Sequence, residues 1–149
     1  MHQEPTSVLV VAHQTAATPA LIEVVRERAR SGPSTFHLLV PRRRRGGDRM
    51  ANPQEIGAYE AREVLRDALP QLSEAAGTEV TGDIGDTDPL TAIQDALNLG
   101  HYNEIIISTL PLSVSRWLKH DLVSKAQAFG LPVHHVLGKD SRLAGAANR

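Results

Sequence analysis

Five short segments of strand character, separated by segments with helical periodicity, constrain this sequence more than any other feature. They are SVLVVA (7–12), FHLLV (36–40), TEVTGDIG (78–85), EIIIST (104–109) and LPVHHVL (131–137). A short, continuous apolar run is typical of a strand that is covered on both faces. Strands that alternate with helices predict a mostly parallel sheet between helix layers, joined by right-handed crossovers. We therefore expect an α/β fold.

Helix signals occupy the segments between these strands. Thr18 and Asp88 are each followed by a proline, a pair that predicts a capped helix start. Asn52 begins another pattern, in which apolar residues recur every three or four positions to about residue 76. Pro70 interrupts that pattern and predicts a kink or an early end. A last helix is expected to end near Gly130.

The composition limits the class of protein. The 149 residues suggest one domain, and an apolar fraction of 41% is enough for a single core. The formal net charge of −1 provides no global field for nucleic acid or an acidic membrane. The sequence has no cysteine, which excludes disulfides and thiol catalysis and fits a reducing cytoplasm. We see neither a signal peptide nor a run long enough to span a bilayer.

Polar residues follow the first strand and end the fourth. They are His13, Gln14 and Thr15 in the first loop, and Ser108 and Thr109 in the fourth strand. In an open parallel sheet, the ligand crevice lies at the carboxyl ends of the strands, where the strand order reverses. These residues are therefore candidates for binding a small molecule, with a purely structural role in the loops as the alternative.

The sequence resembles the universal stress protein family over about residues 7–137. The resemblance rests on GDIGDTDPLTAIQDAL leading into EIIIST, and on the closing FGLPVHHV. It implies a single domain, 7–138, with a five-stranded parallel sheet in the order 3-2-1-4-5, helices on both faces, and flexible tails at 1–6 and 139–149. The segment STLPLSVSRWLKHDL resembles more narrowly a subgroup of small actinobacterial proteins.

Nucleotide-binding members of that family carry a spaced motif of three glycines and a hydroxyl residue after the fourth strand. Glycine lets the backbone approach phosphates, and the following helix offers free N–H groups. Here Ser108, Pro111, Asp121 and Leu122 take the four motif positions. We expect the ATP-binding loop to be lost, with the carboxylate of Asp121 capping the next helix and filling the anion site.

Two residues in the segment after the fourth strand have alternative interpretations. Trp117 either anchors this segment on the sheet or lines a small pocket with Ser108, Thr109 and Arg116. In the second case, Arg116 could bind an anion that the backbone no longer holds. A ligand would then lie between residues 13–15 and the Ser108–Thr109 turn.

An arginine-rich segment follows the second strand. Arg42 to Arg45 could form a solvated loop, a clamp for an acidic partner, or ion pairs with Asp83, Asp86 and Asp88. We favour the solvated loop, because no aromatic residue interleaves with the arginines to stack on bases. Nucleic acid is therefore not an expected partner. The three aspartates lack the spacing of a calcium loop, and we expect no metal.

The last strand is the expected dimer interface. The family resemblance implies pairing of this strand with that of a second copy, through Val133, His134, His135 and Val136. Adjacent strand residues point to opposite faces, so His134 and His135 cannot chelate one ion together.

The sequence thus predicts a non-catalytic binding or regulatory domain, homodimeric and cytoplasmic, with no required cofactor and no membrane partner. The alternative is a nucleotide-binding protein or weak ATP hydrolase, in which Ser108, Thr109 and Arg116 replace the glycine loop and ATP is the ligand. No P-loop or nucleophile elbow is present.

Overall fold

Parallel strands and helices alternate along the part of the chain that the computed structural model describes, residues 4–43 and 53–138. The strands are β1 (Thr6–Val11), β2 (Ser34–Pro41), β3 (Thr81–Gly85), β4 (Glu104–Thr109) and β5 (Val133–Leu137). The helices are α1 (Pro19–Ser31), α2 (Pro53–Ala76), α3 (Pro89–Leu99), α4 (Arg116–Lys119) and α5 (Leu122–Gln127).

The strands form one parallel sheet in the order β3-β2-β1-β4-β5, which confirms the predicted topology. β1 lies at the centre, where Val8 pairs with Phe36 of β2 and with Glu104 of β4. The sequences of strands β1 and β4 are continuous apolar runs because helices cover both faces of these strands. All six residues of β4 are buried.

Two hydrophobic clusters, one on each face, fix the helix layers. Val8 and Val10 of β1 face α1 and α2, whereas Leu9 and Val11 face α3 and α5. This division follows from the pleat, because successive side chains of a strand point to opposite faces. The buried members of both clusters are aliphatic except for Phe36.

Helix α2 continues through Pro70 to Ala76, so the prediction of an early end is wrong.

Proline starts α1 and α3 as expected, but neither N-cap side chain bonds to the helix backbone. The Thr18 hydroxyl donates instead to the Thr15 carbonyl, 2.9 Å away, and the Asp88 carboxylate accepts from the Thr91 hydroxyl at 2.7 Å. The predicted last helix, which was expected to end near Gly130, corresponds to α5 and ends at Gln127, and α4 is an additional short helix that was not predicted. Asn52 and both chain ends, 1–3 and 139–149, lie outside the described residues.

A buried ion pair joins α1 to the amino end of β4. The Arg28 guanidinium donates to the Glu104 carboxylate, whose side chain is only 6% exposed, whereas that of Arg28 is 37% exposed. Within the described part of the chain, the second carboxylate oxygen and the Arg28 Nε have no hydrogen-bond partner. The carboxylate therefore depends on this one cation, while the guanidinium also reaches solvent.

We expect this asymmetry to appear in stability. Arg28→Met leaves a buried carboxylate without its cation and should lower the free energy of unfolding by about 3 kcal/mol. Glu104→Gln leaves a guanidinium that water can solvate and should cost about 1 kcal/mol. Arg26→Met is the matched control, because its partner Glu23 is exposed, and should cost less than about 0.5 kcal/mol. Urea denaturation measures all three, and equal losses for Arg28→Met and Glu104→Gln would contradict the asymmetry.

Candidate functional site

A cavity of about 580 Å³ lies at the carboxyl ends of β1, β2 and β4. It exists because the chain leaves the adjacent strands β1 and β4 in opposite directions. After β1 it passes to α1 on one face, and after β4 it passes to α4 and α5 on the other. Such a reversal opens a crevice between the two connections. Its volume falls within the usual range for small-molecule sites.

Hydroxyl groups form the floor of the cavity, and they already have partners. The Ser108 hydroxyl donates to Thr15 Oγ1 at 2.7 Å, joining the loop after β1 to β4. Thr109 Oγ1 lies 2.7 Å from His135 Nε2 on β5. Ser108, Thr15 and Thr109 are each at most 2% exposed. The floor is therefore a bonded polar layer with little exposed hydroxyl surface.

The end of β5 packs against this floor. The Gly138 N–H donates to the Thr109 carbonyl at 2.7 Å. A Cβ atom at residue 138 would lie 2.7 Å from the Thr15 Cγ2, closer than side chains pack. Only glycine allows this approach, which holds the loop after β1 next to the ends of β4 and β5.

The side of the cavity at the end of β2 carries two arginines. Both the backbone N–H and the Nε of Arg42 donate to the Gly85 carbonyl, at 3.0 and 3.1 Å. This double contact fixes the base of the guanidinium at the end of β3. Arg43 follows and also lines the cavity. Neighbouring Asp88, at the start of α3, contributes a carboxylate.

The opposite side of the cavity is formed by α4 and α5. Arg116 and Trp117 line it from α4, His120 from the C-cap of α4, and Lys125 from α5. Trp117 is half-buried and packs against the cluster around Ile105 and Ile107, so it both anchors the segment and lines the cavity. Ser115 caps α4, since its hydroxyl accepts a hydrogen bond from the Leu118 N–H at 3.2 Å.

The cavity is electrostatically positive. The described residues that line it include four permanently cationic side chains and a single carboxylate, Asp88; the cations are Arg42, Arg43, Arg116 and Lys125. Charges of one sign around a concave, partly apolar surface concentrate ligands of the opposite sign. The site is thus suited to an anion.

No protein-family model and no curated protein sequence matches the chain. Several solved structures do match the chain in fold. A universal stress family protein from Burkholderia pseudomallei is 14% identical, with a TM-score of 0.63 over 87% of this chain and 94% of its own. The Archaeoglobus fulgidus universal stress protein in complex with dAMP is 16% identical, with a TM-score of 0.55 over 89% and 98%. A universal stress protein in complex with cAMP is 11% identical, with a TM-score of 0.58 over 90% and 98%.

The chain has the universal stress protein fold. The cavity described above occupies the crevice that this fold creates at the switch between β1 and β4. The residues at the four glycine-motif positions can therefore be assigned to elements: Ser108 to β4, Pro111 to the β4–α4 connection, Asp121 to the α4–α5 junction and Leu122 to the start of α5.

Asp121 does not have the predicted role within this fold. It occupies the N-cap position of α5, but its side chain makes no capping hydrogen bond. The residue is exposed and is not among the described residues that line the cavity. The reason is its left-handed backbone, with φ 60° and ψ 39°, since a capping side chain needs an extended residue such as Ser115. The prediction that its carboxylate caps α5 and fills the anion site is wrong.

The backbone at Asp121 keeps a conformation that favours glycine. Among the described residues, Asp121 is the only residue other than glycine with positive φ. Such a conformation is costly for residues with a Cβ and free for glycine. The α4–α5 junction at Asp121 therefore has the backbone geometry that glycine adopts without strain.

The other predicted ligand residues meet at the cavity. His13, Gln14, Thr15, Ser108, Thr109, Arg116 and Trp117 all line it. Gln14 and Arg116 are exposed there, whereas the hydroxyl residues are buried. Of the arginine-rich segment, Arg42 and Arg43 are described and line the cavity. Arg42 is hydrogen-bonded to the Gly85 carbonyl and partly buried, whereas Arg43 is exposed. Arg44 and Arg45 lie outside the described residues.

Lys125 and His120 are the cavity residues that sequence reasoning missed. A helix that begins after Asp121 was expected, but the sequence did not show which of its side chains would face the cavity. The available signal was weak: Lys125 follows the third motif position by one helical turn, on the α5 side of the break.

The predicted dimer residues divide between the two faces of edge strand β5. Val136 is buried in the cluster with α1 and α2, and Val133 packs in the opposite cluster, so both valines serve the core of this chain. His134 and His135 are exposed. Partial burial lowers the pKa of His135 below its ordinary value, which favours the neutral ring beside Thr109.

Within residues 4–43 and 53–138, no helix has the length and apolarity required to cross a bilayer. No group of three or more histidine, aspartate or glutamate side chains in these ranges is placed to hold a metal ion.

The left-handed backbone at Asp121 predicts an order of stabilities among three uncharged variants. Asp121→Gly should be the most stable, Asp121→Asn intermediate and Asp121→Ala the least stable, with about 1 kcal/mol between the glycine and alanine variants. All three remove the charge, so differences among them report the backbone. Thermal or urea unfolding measures the order. A capping side chain would instead make the asparagine variant the most stable of the three.

Proposed function

We propose that this chain is a member of the universal stress protein family and acts as a non-catalytic module that binds a small anionic molecule in the cavity. The observation that carries the proposal is the charge of the lining, four cations against one carboxylate in about 580 Å³. In a partly screened site, a cation and an anion about 4 Å apart attract by a few kcal/mol before desolvation is subtracted. Several such contacts support measurable affinity.

Side chains take the place of backbone amides in this proposal. Pro111 has no N–H to donate, and the Ser115 hydroxyl already accepts from the Leu118 N–H. Arg116 and Lys125 supply positive charge on the same side of the cavity. Glycines that bring the backbone close to phosphate are therefore unnecessary, because long cationic side chains reach the ligand themselves. Loss of the glycine motif is thus compatible with retention of the site.

The arrangement of polar groups favours binding over catalysis. At the cavity floor, the Thr109 hydroxyl pairs with the imidazole of His135, and Thr109 is 2% exposed. Among the described residues, no carboxylate bonds to the other ring nitrogen of His135, so the orienting third group of a hydrolytic triad is missing. The hydroxyls of Ser108 and Thr15 bond to each other.

A nucleotide is the second candidate ligand. It is favoured by the universal stress proteins of the same fold whose structures contain dAMP or cAMP. Trp117 lines the cavity and offers an aromatic face on which a base could stack. Arg116 could then hold the phosphate, whereas Ser108 and Thr109 are buried and hydrogen-bonded, which weakens their part in the predicted alternative.

Homodimerisation through β5 and a cytoplasmic location complete the proposal. β5 is an edge strand, and its outer backbone groups have no neighbouring strand among the described residues. An exposed edge invites pairing with a second copy. Leu137 is 45% exposed at the end of this strand, where it would contribute apolar surface. The lack of cysteines supports a reducing compartment.

Calorimetric titration with pyrophosphate, AMP and ATP tests the proposed function. At least one of these anions should bind with micromolar affinity, and binding should weaken as salt is added. Lys125→Gln and Arg116→Gln should each reduce the affinity about tenfold, since hydrogen bonds to charged groups contribute roughly 1.5–3 kcal/mol. Arg30→Gln, an exposed change in the last turn of α1 at the other end of the sheet, is the control. Absence of binding by all three, or equal loss in the control, would refute the proposal.

A further inference from the structure

The four cations of the cavity belong to two separate groups. Arg42 and Arg43 lie at the end of β2, whereas Arg116 and Lys125 belong to α4 and α5, which follow β4. In the sheet, β1 lies between β2 and β4. Because neighbouring strands are about 4.8 Å apart, the two groups start from strand ends that are about 10 Å apart.

The part of the cavity between these groups carries no permanently charged side chain. It is formed by His13, Gln14 and Thr15, which follow the central strand β1. Gln14 is exposed, and its amide can both donate and accept hydrogen bonds. Asp88, at the start of α3, is the only carboxylate among the described lining residues. The lining therefore offers positive charge, a neutral polar centre, and positive charge again.

From this order we infer that the ligand is an elongated molecule with an anionic group at each end and a neutral polar centre, such as a bisphosphate or a phosphorylated carboxylate. The inference rests on the proposed function and specifies the chemical class of its ligand. Each anionic end would meet one pair of cations, and the centre would face the end of β1. A molecule whose charge is all at one end would leave the other pair of cations without a counter-charge.

The contacts of Arg42 support the placement of one anionic end of the ligand beside Arg42 and Arg43. Its Nε and backbone N–H both donate to the Gly85 carbonyl, so the chain is held before any ligand arrives. The terminal guanidinium nitrogens are not used by that contact and can form two parallel bonds with a phosphate or carboxylate. Fixing an arginine in advance reduces the entropy lost on binding. Arg43 is exposed beside it and adds charge.

Calorimetric titration with a series of bisphosphonates tests the inference. The bisphosphonates have alkyl spacers of increasing length, and each is compared with the alkylphosphonate of the same length. A bisphosphonate should bind about tenfold more tightly than its matched monophosphonate, with a maximum at one spacer length, because the second end binds intramolecularly. Arg43→Gln at one end, and Lys125→Gln at the other, should each lower the bisphosphonate affinity to the monophosphonate level. The monophosphonate should change less than about threefold in at least one of the two variants, because it occupies only one end of the cavity.

Arg42→Gln provides a second variant at the first end, and Arg30→Gln is the control for a general change in charge. Unfolding curves establish that each variant is folded before titration. Equal affinities of the two phosphonate series, or no dependence on spacer length, would overturn the inference while leaving a single-anion site and the proposed function intact. If no phosphonate binds, the inference fails, and the titrations with pyrophosphate and nucleotides decide the proposed function separately.

Discussion

The reversal of chain direction between β1 and β4 is the constraint on which the rest of the structure depends. The two strands are neighbours in the sheet, yet their connections pass to opposite helix layers. A crevice must open between connections that diverge in this way. The buried hydroxyl pair of Ser108 and Thr15 bonds across this point, and Gly138 packs against Thr15 beside it. The floor of the site is therefore also a structural junction of the fold.

The break at the α4–α5 junction places cationic side chains from two short helices on one wall of the cavity. Asp121 adopts the left-handed conformation that glycine adopts without strain. Its exposed carboxylate neither caps α5 nor lines the cavity. The break at this residue separates two short helices, and Arg116 and Lys125, one from each, meet at the same wall. The positive charge of this wall therefore comes from side chains.

The sequence predicted most of the fold because the signals that determine it are local. The apolar runs of β1 and β4 and the prolines that begin α1 and α3 were recognisable within a few residues. The site was only partly predictable. His13, Gln14, Arg116 and Trp117 were found because loops after the strands of a parallel sheet meet at one edge.

The remaining features depend on contacts between distant residues or on backbone angles that composition does not reveal. The Ser108–Thr15 bond joins residues 93 positions apart, so the engagement of both hydroxyls could not be read from either segment. Asp121 was misassigned because an aspartate before a helix is usually an extended cap, and nothing in the sequence marks a positive φ. Lys125 was missed because nothing local in the sequence shows which face of α5 turns toward the cavity.

The central claim is that this cavity attracts anions through side-chain cations. Crystals grown with tungstate, an electron-dense oxyanion, would test it most directly through an anomalous difference map. The account predicts a tungstate peak inside the cavity, within hydrogen-bonding distance of Arg42 or Arg43, or of Arg116 or Lys125. Peaks elsewhere on the surface with none in the cavity would contradict the account.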